Sequence, residues 1–263
     1  MGAIVIDRRS KIRCCTATRP PGFAHWPVEP GRFLDGTETE FNEGFYAALA
    51  VERLAGGEES RLRTSTGSGQ SVDVHFLPIV LNDGDDNGYM LMIVGAPEEG
   101  LEHEVGNVVA EMRAVSLVSQ RGAARLDDLA FSLCRRIDVL LALARLRHRR
   151  GDGRLPLGEV VTASGAGNIV LTGSADHPLL NEQAKAVALV LSDWHESDPG
   201  TGGSSLAART SDVLELTWTG PAPDGEIAGE SGLAGRILSR VDGWVTSERA
   251  GDALVRRLVI PIQ

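Results

Sequence analysis

The side chains best suited to chemistry stand close together in the stretch EGLEHEVGNVVAEMRAV, residues 99–115. His103 has Glu104 beside it and Asn107 four residues on, which is one turn away if the stretch is helical. A neutral imidazole nitrogen held in one tautomer, with a carboxylate at hand to take the ring proton, is a nucleophile suited to accepting a phosphoryl group. A single histidine on the polar side of a helix is equally an ordinary solvated residue, and position alone leaves both readings open.

Other reactive side chains point less clearly to a site. Cys14 and Cys15 are adjacent and Cys134 is far away, so the three cysteines make neither a CxxC pair nor an even disulfide framework. That pattern fits a reducing compartment and a cytoplasmic protein. The net charge of −10 offers no overall field to attract phosphate backbones or anionic membranes, so neither nucleic acid nor membrane is expected as a partner. The apolar run near the N-terminus is too short for a signal peptide, and no stretch approaches the ~18 apolar residues of a membrane span.

The helix that must present His103 begins after Pro97, whose fixed φ and missing N–H favour a boundary there. Leu101, Val105, Val108, Met112 and Val115 recur at alternating spacings of four and three, a heptad seam that leaves His103 off the apolar side. After a break near Gly122, Leu126, Leu129, Leu133, Ile137, Leu140 and Ala144 repeat the cadence, and LRHRRGDG ends it with cations in the last turn and glycines beyond. The two helices predict an antiparallel hairpin. Val109, Val118 and Leu141 widen the stripe past a two-helix seam, which predicts a homodimeric four-helix bundle.

Residues 1–97 predict a small α+β module. A strand over Ala3 to Ile6 opens it, and a hairpin of VDVHFLPIVL and GYMLMIV about the turn NDGDDNG closes it. Between them a helical cadence runs through Phe41, Phe45, Leu49 and Leu54 to Gly56 and Gly57. This order resembles a PAS domain. His75 alternates with Val74 and Phe76, so it is expected on the opposite face as a surface residue rather than a haem ligand. The Asn-Cys-Arg-Phe type motif of a flavin-binding light sensor of this fold does not occur, which favours an interaction or dimerisation module without a ligand.

LEHEVGNVV resembles the phosphoacceptor motif of the HWE and related histidine kinases, written close to His-Arg-Val-Lys-Asn, with His103, Val105 and Asn107 kept and Glu104 and Gly106 changed. The segments that follow, LPLGEVV, NIVLTGS, AKAVALVLSDWHE, LELTWTG, SGLAGRILSRVDG and LVRRLVIPIQ, keep the order of that family's C-terminal half. The resemblance runs from about residue 98 to 263. It implies three parts: a PAS-like domain over 1–97, a helical hairpin carrying the acceptor histidine over 98–150, and an α/β sandwich like the kinase ATP-binding domain over 151–263.

In that family a glutamate and an asparagine on one helix serve Mg²⁺, an aspartate reads adenine, and glycines let backbone approach the phosphates. Set against the pattern Leu-His-Glu-Leu-Ala-Thr-Asn-Ala, LSDWHESD has Ser192 at the histidine, Asp193 at the glutamate and Ser197 at the asparagine. Trp218 keeps the family's tryptophan, and Gly220 stands where its glutamate is expected. Asp224 with Gly225 is either a remnant of the adenine-reading motif or a common turn. Gly232 and Gly235 open a helix GRILSRVDGW, and SDPGTGGSSL lacks P-loop spacing and reads as a surface loop.

The resemblance thus implies a degenerate kinase that keeps its acceptor and loses ATP, similar to the ChpT-type histidine phosphotransferases. His103 would be the nucleophile, Glu104 would orient or deprotonate its ring, and Asn107 would hydrogen-bond near the exchange site. The partners would be receiver domains of response regulators. No cofactor or protein-bound metal is expected, with Asp193, Ser197, Asp224, Gly232 and Gly235 a vestigial nucleotide site. Two alternatives remain: a divergent ATP- and Mg²⁺-dependent sensor kinase, and a non-enzymatic scaffold.

Overall fold

The computed structural model describes residues 1–20, 30–32, 34, 46, 49, 59–66, 68–81, 87–95, 102–120, 125–150, 153–166, 169–196, 204–222 and 236–262, without the side chains at 102–106, 118 and 196. It is a mixed α+β chain in two units, Met1–Leu141 and Ala142–Gln263, each with its own five-stranded sheet.

The opening strand is β1 (Gly2–Asp7), one residue longer at each end than its apolar core predicts. The expected hairpin is β4 (Ser71–Ile79) with β5 (Gly88–Gly95), antiparallel, with Val74 opposite Ile93 and Phe76 opposite Leu91. β1 pairs antiparallel with β5, and two further strands complete the order β2-β1-β5-β4-β3. These are β2 (Ile12–Cys15) and β3 (Ser60–Ser65), whose short or polar sequences IRCC and SRLRTS carry no strong alternation. Both lie at the sheet edges, where a strand pairs along one side. Gly88 is needed where β5 crosses β1, because a Cβ there would stand 2.1 Å from the carbonyl oxygen of Ile6.

One face of this sheet forms an apolar core of Ile4, Ile6, Val72, Val74, Phe76 and Leu91 with their neighbours, closed by Leu34 and Leu49. Of the helix expected through Phe41, Phe45, Leu49 and Leu54, only Leu49 falls within the described residues. The other face is covered by two helices, α1 (Glu102–Gln120) and the first part of α2 (Leu126–Arg150). The side-chain amide of Gln120 at the end of α1 accepts the N–H of Val80 at 3.3 Å and donates to the carbonyl of Pro78 at 3.4 Å. Arg113 of the same helix pairs with Glu59. On α2, Asp127 meets Arg13 at 2.9 Å, and the carboxylate of Asp138 accepts the N–H groups of Ala17 and Thr18 at 2.7 and 3.0 Å. Between the helices, a buried guanidinium of Arg136 donates to the Ser119 hydroxyl at 2.7 Å.

Val108, Met112 and Val115 are buried along α1, as are Leu126, Leu129, Leu133, Ile137 and Leu140 along α2. The sheet of the same chain therefore covers apolar width that a two-helix seam would leave open. Leu117 and Phe131 remain outside, each more than half exposed. The unit boundary falls between Leu141 and Ala142, inside the continuous helix α2. Its first turn carries Asp127 and Asp128 and its last Arg147, His148, Arg149 and Arg150, charges that oppose the helix dipole at both ends.

The second unit is a sheet in the order β11-β12-β10-β9-β7 with helix packed on one face. β7 (Val170–Gly173) runs parallel to β9 (Ser205–Thr210); β10 (Val213–Pro221), β11 (Trp244–Ala250) and β12 (Ala253–Pro261) pair antiparallel. β10 alternates strictly, burying Leu214, Leu216 and Trp218. The helix on this face, α4 (Asn181–Glu196), is held at both ends. Near its start Gln183 donates to the carbonyl of Pro261 at 3.0 Å, and near its end the Trp194 carbonyl accepts from Arg256 at 3.4 Å. α3 (Leu157–Val161) and the π-helical turn Thr162–Ala166 cover its other side, so Ala184 to Ser192 are buried apart from Lys185. A two-stranded ribbon of β6 (Arg154–Pro156) and β8 (Pro178–Leu180) brackets α3.

Two strands here depart from the sequence expectation. β9 starts at Ser205 inside the tract taken for a loop, and the helix expected over GRILSRVDGW ends early. Its last turn is a 3-10 helix, Ser239–Val241, after which Asp242 adopts φ 52° and Trp244 begins β11. Among the described residues, no helix is long and apolar enough to cross a membrane.

Candidate functional site

His103 and Glu104 occupy the first turn of α1, and Asn107 follows one turn later with its side chain exposed. The side chains of His103 and Glu104 lie outside the described residues. From Asn107 an exposed stripe continues through Ala110, Ala114 and Leu117, opposite the buried Val108, Met112 and Val115. The backbone register of position 103 precedes Asn107 on this helix by four residues. The amino-terminal turn of a helix carries free N–H groups and partial positive charge, an environment that favours an added phosphoryl group.

Of the second group of predicted residues, Asp193 falls within the described residues. Asp193 lies in the last turns of α4, half-exposed, between the buried Ser192 and Trp194. Trp194 meets Trp218 of β10 edge to face, and the ring of His195 lies 6.4 Å from that of Trp218. Trp218 is thus a packing residue that clamps the end of α4 to the sheet. Ser192 is 1% exposed, and its hydroxyl has no hydrogen-bond partner among the described residues. Ser197, Asp224, Gly232 and Gly235 lie outside the described residues. Among those described, no group of three or more His, Cys, Asp and Glu side chains is placed to hold a metal ion. Asp193 contributes one carboxylate there, and no nucleotide step follows from one such residue.

A further feature lies within the second unit. A groove of about 580 Å³ opens within that unit between the end of α2 and α3 with its π-helical turn, lined by Arg145, Leu146 and Arg149 on one side and Glu159, Thr162 and Gly165 on the other. Arg150 pairs with Glu159 and holds its carboxyl below the ordinary carboxylate range, while Arg147 donates to Asn181 at 3.2 Å. The run RLRHRR reads in sequence as the end of a helix. Its i, i+4 pair Arg145 and Arg149 was the available signal for a basic wall.

His75 also differs from a plain surface residue. It lies on the face of β4 that the helices cover, and burial, reinforced by Arg61, pushes its imidazole pKa down. Its neighbour Asp73 is 4% exposed and takes ion pairs from Arg61 at 2.6 Å and Arg63 at 2.9 Å.

A sheet flanked by helices, a long helical connection and an α/β sandwich in this order make a histidine-kinase-like fold. The blue-light activated histidine kinase EL346 of Erythrobacter litoralis shares it over 99% of this chain and 95% of its own, with a TM-score of 0.60 at 15% sequence identity. A structure described as a bacterial phosphotransferase, covering 59% of this chain and 90% of its own, gives a TM-score of 0.35 at 13% identity. The catalytic domain of the histidine kinase ThkA, covering 41% and 94%, gives 0.33 at 14%. These last two overlap too loosely to define a shared fold. No protein-family model and no curated protein sequence matches the chain.

Proposed function

We propose that this chain is a two-component signalling protein that relays phosphoryl groups to and from response-regulator receiver domains through His103. The observation that supports this most directly is that the histidine-kinase-like fold extends over nearly the whole chain, with position 103 in the first turn of α1, the helix that follows the first sheet. The lone pair of a neutral His103 ring nitrogen attacks the phosphorus of a receiver's aspartyl phosphate. The P–N bond forms as the P–O bond to the aspartate breaks, and the carboxylate leaves. Glu104 orients the ring and takes the proton from its other nitrogen, and Asn107 hydrogen-bonds the transferring group. Mg²⁺ is supplied with the receiver.

In the same reading, residues 1–97 are a PAS-like module, which the antiparallel order β2-β1-β5-β4-β3 supports. Residues 98–150 are the acceptor stem and 151–263 the kinase-derived domain, with ATP binding lost and the protein acting in the cytoplasm. Homodimerisation through the helices rests on the exposed Leu117 and Phe131 rather than on stripe width, and light scattering of wild type against Leu117→Glu tests it.

The test of the relay is transfer of labelled phosphate from a panel of phosphorylated receiver domains in Mg²⁺ without ATP. Acid-labile, base-stable label on the wild type and none on His103→Ala is the expected result. An unlabelled chain after the whole panel overturns the relay. The half-exposed Asp193 favours one second reading, a divergent kinase, and labelling of His103 from ATP and Mg²⁺ in the absence of receivers would establish that instead.

A further inference from the structure

The fold joins two cysteines that the sequence keeps apart. Successive side chains of a strand point to opposite faces, so in β2 Cys15 packs on the apolar core while Cys14, in register with Val5, faces the helices. Cys134 on α2 is 2% exposed, its thiol is near enough to that of Cys14 for each to shift the other's titration, and both are free thiols. Cys14 is half-buried and so retains access from solvent.

Two anchors fix this approach. Seven residues before Cys134, Asp127 takes the Arg13 guanidinium, which also reaches Asp7 at 2.9 Å. Four residues after it, Asp138 takes the backbone N–H groups of Ala17 and Thr18. Strand and helix are therefore held together on both sides of the thiol pair.

We propose that Cys14 and Cys134 are a peroxide-responsive modification site that closes to an intramolecular disulfide. The Cys14 thiolate attacks one oxygen of hydrogen peroxide, the O–O bond breaks, and the departing hydroxide takes up the thiol proton to leave as water. Cys14 is now a sulfenic acid. The Cys134 sulfur attacks it, the S–O bond breaks, and the hydroxyl leaves with the Cys134 proton as a second water. Both sulfurs are oxidised by one electron each and one peroxide is reduced to two waters. The division of labour follows from the environments. The neighbouring Cys134 thiol lowers the pKa of Cys14 despite burial and the nearby Asp138, whereas the Cys14 thiol and burial push Cys134 well above the ordinary thiol range. The more accessible partner is the nucleophile and the buried one resolves it. The bond would tie α2, the helix that continues past residue 141, covalently to β2.

The experiment treats the reduced full-length chain with one equivalent of hydrogen peroxide, alkylates it under denaturing conditions and maps its peptides without reduction. Alkylatable thiols are expected to fall from three to one, with a single intrachain bridge to the Cys134 peptide that persists in Cys15→Ser and vanishes in Cys14→Ser. The wild-type map is independent of how well any variant folds. Three alkylatable thiols, a sulfinic acid at Cys14 with Cys134 still free, a bridge that survives Cys14→Ser, or a bridge between chains would each overturn the proposal.

Discussion

Trp194 of α4 and Trp218 of β10 meet edge to face, with ring centroids 6.1 Å apart and planes inclined at 70°. Both rings are 2% exposed, and they hold to the sheet the turn of α4 that carries Asp193. Replacing Trp218 by Ala removes a large buried side chain and leaves a cavity, a change worth roughly 3–5 kcal/mol of stability. Urea unfolding followed by far-UV circular dichroism is expected to show a loss of that size, with a smaller one for Trp218→Phe. A loss below about 1 kcal/mol would mean that the pair does not secure the helix.

Ser192, one residue before Asp193, buries a hydroxyl without a hydrogen bond among the described residues. An unpaired buried polar group costs about 1–3 kcal/mol. Ser192→Ala is therefore expected to raise the unfolding midpoint, with a gain in stability of up to that amount. A lower midpoint would show that the Ser192 hydroxyl stabilises the folded chain.

The pairing of Asp73 with Arg63 and Arg61 makes the stability of the first unit depend on acid. The hydrogen bond from Arg63, then that from Arg61, lower the folded-state pKa from the ordinary 3.8, against burial. A depressed carboxylate contributes stability that is present in full above its unfolded pKa and is lost as pH falls through the folded value. Thermal unfolding between pH 6 and about 2.5 is expected to show wild type losing stability faster than Asp73→Asn as the pH drops below about 4. Parallel curves would remove Asp73 from the acid response.

Much of the architecture is legible from periodicity, and its gaps have physical causes. β1, β4 and β5 lie at the centre of the first sheet, so their apolar residues are dictated by burial and show in the sequence. The heptad positions Val108, Met112 and Val115 are buried as their spacing predicts. The strands that escaped notice include the sheet edges β2, β3 and β11. There a strand needs only one partner, so burial dictates less of its sequence, and polar residues such as Arg61, Arg63 and Glu248 interrupt the apolar pattern. Stripe width pointed to a second protomer because a helix's apolar face does not say what covers it; here a sheet of the same chain covers much of it.

For the candidate site the division is similar. The chemistry at His103, Glu104 and Asn107 could be read from residue types, and Asn107 proves exposed on a helix beginning at Glu102. What residue spacing could not supply was proximity between distant positions. Cys14 reaches Cys134, Arg13 reaches Asp127, and Trp218 locks Trp194 only through the packing of strand on helix. Local periodicity follows from which side of each element faces away from water and is therefore written residue by residue. Contacts between distant residues depend on how whole elements dock, and that is settled only when the chain closes on itself.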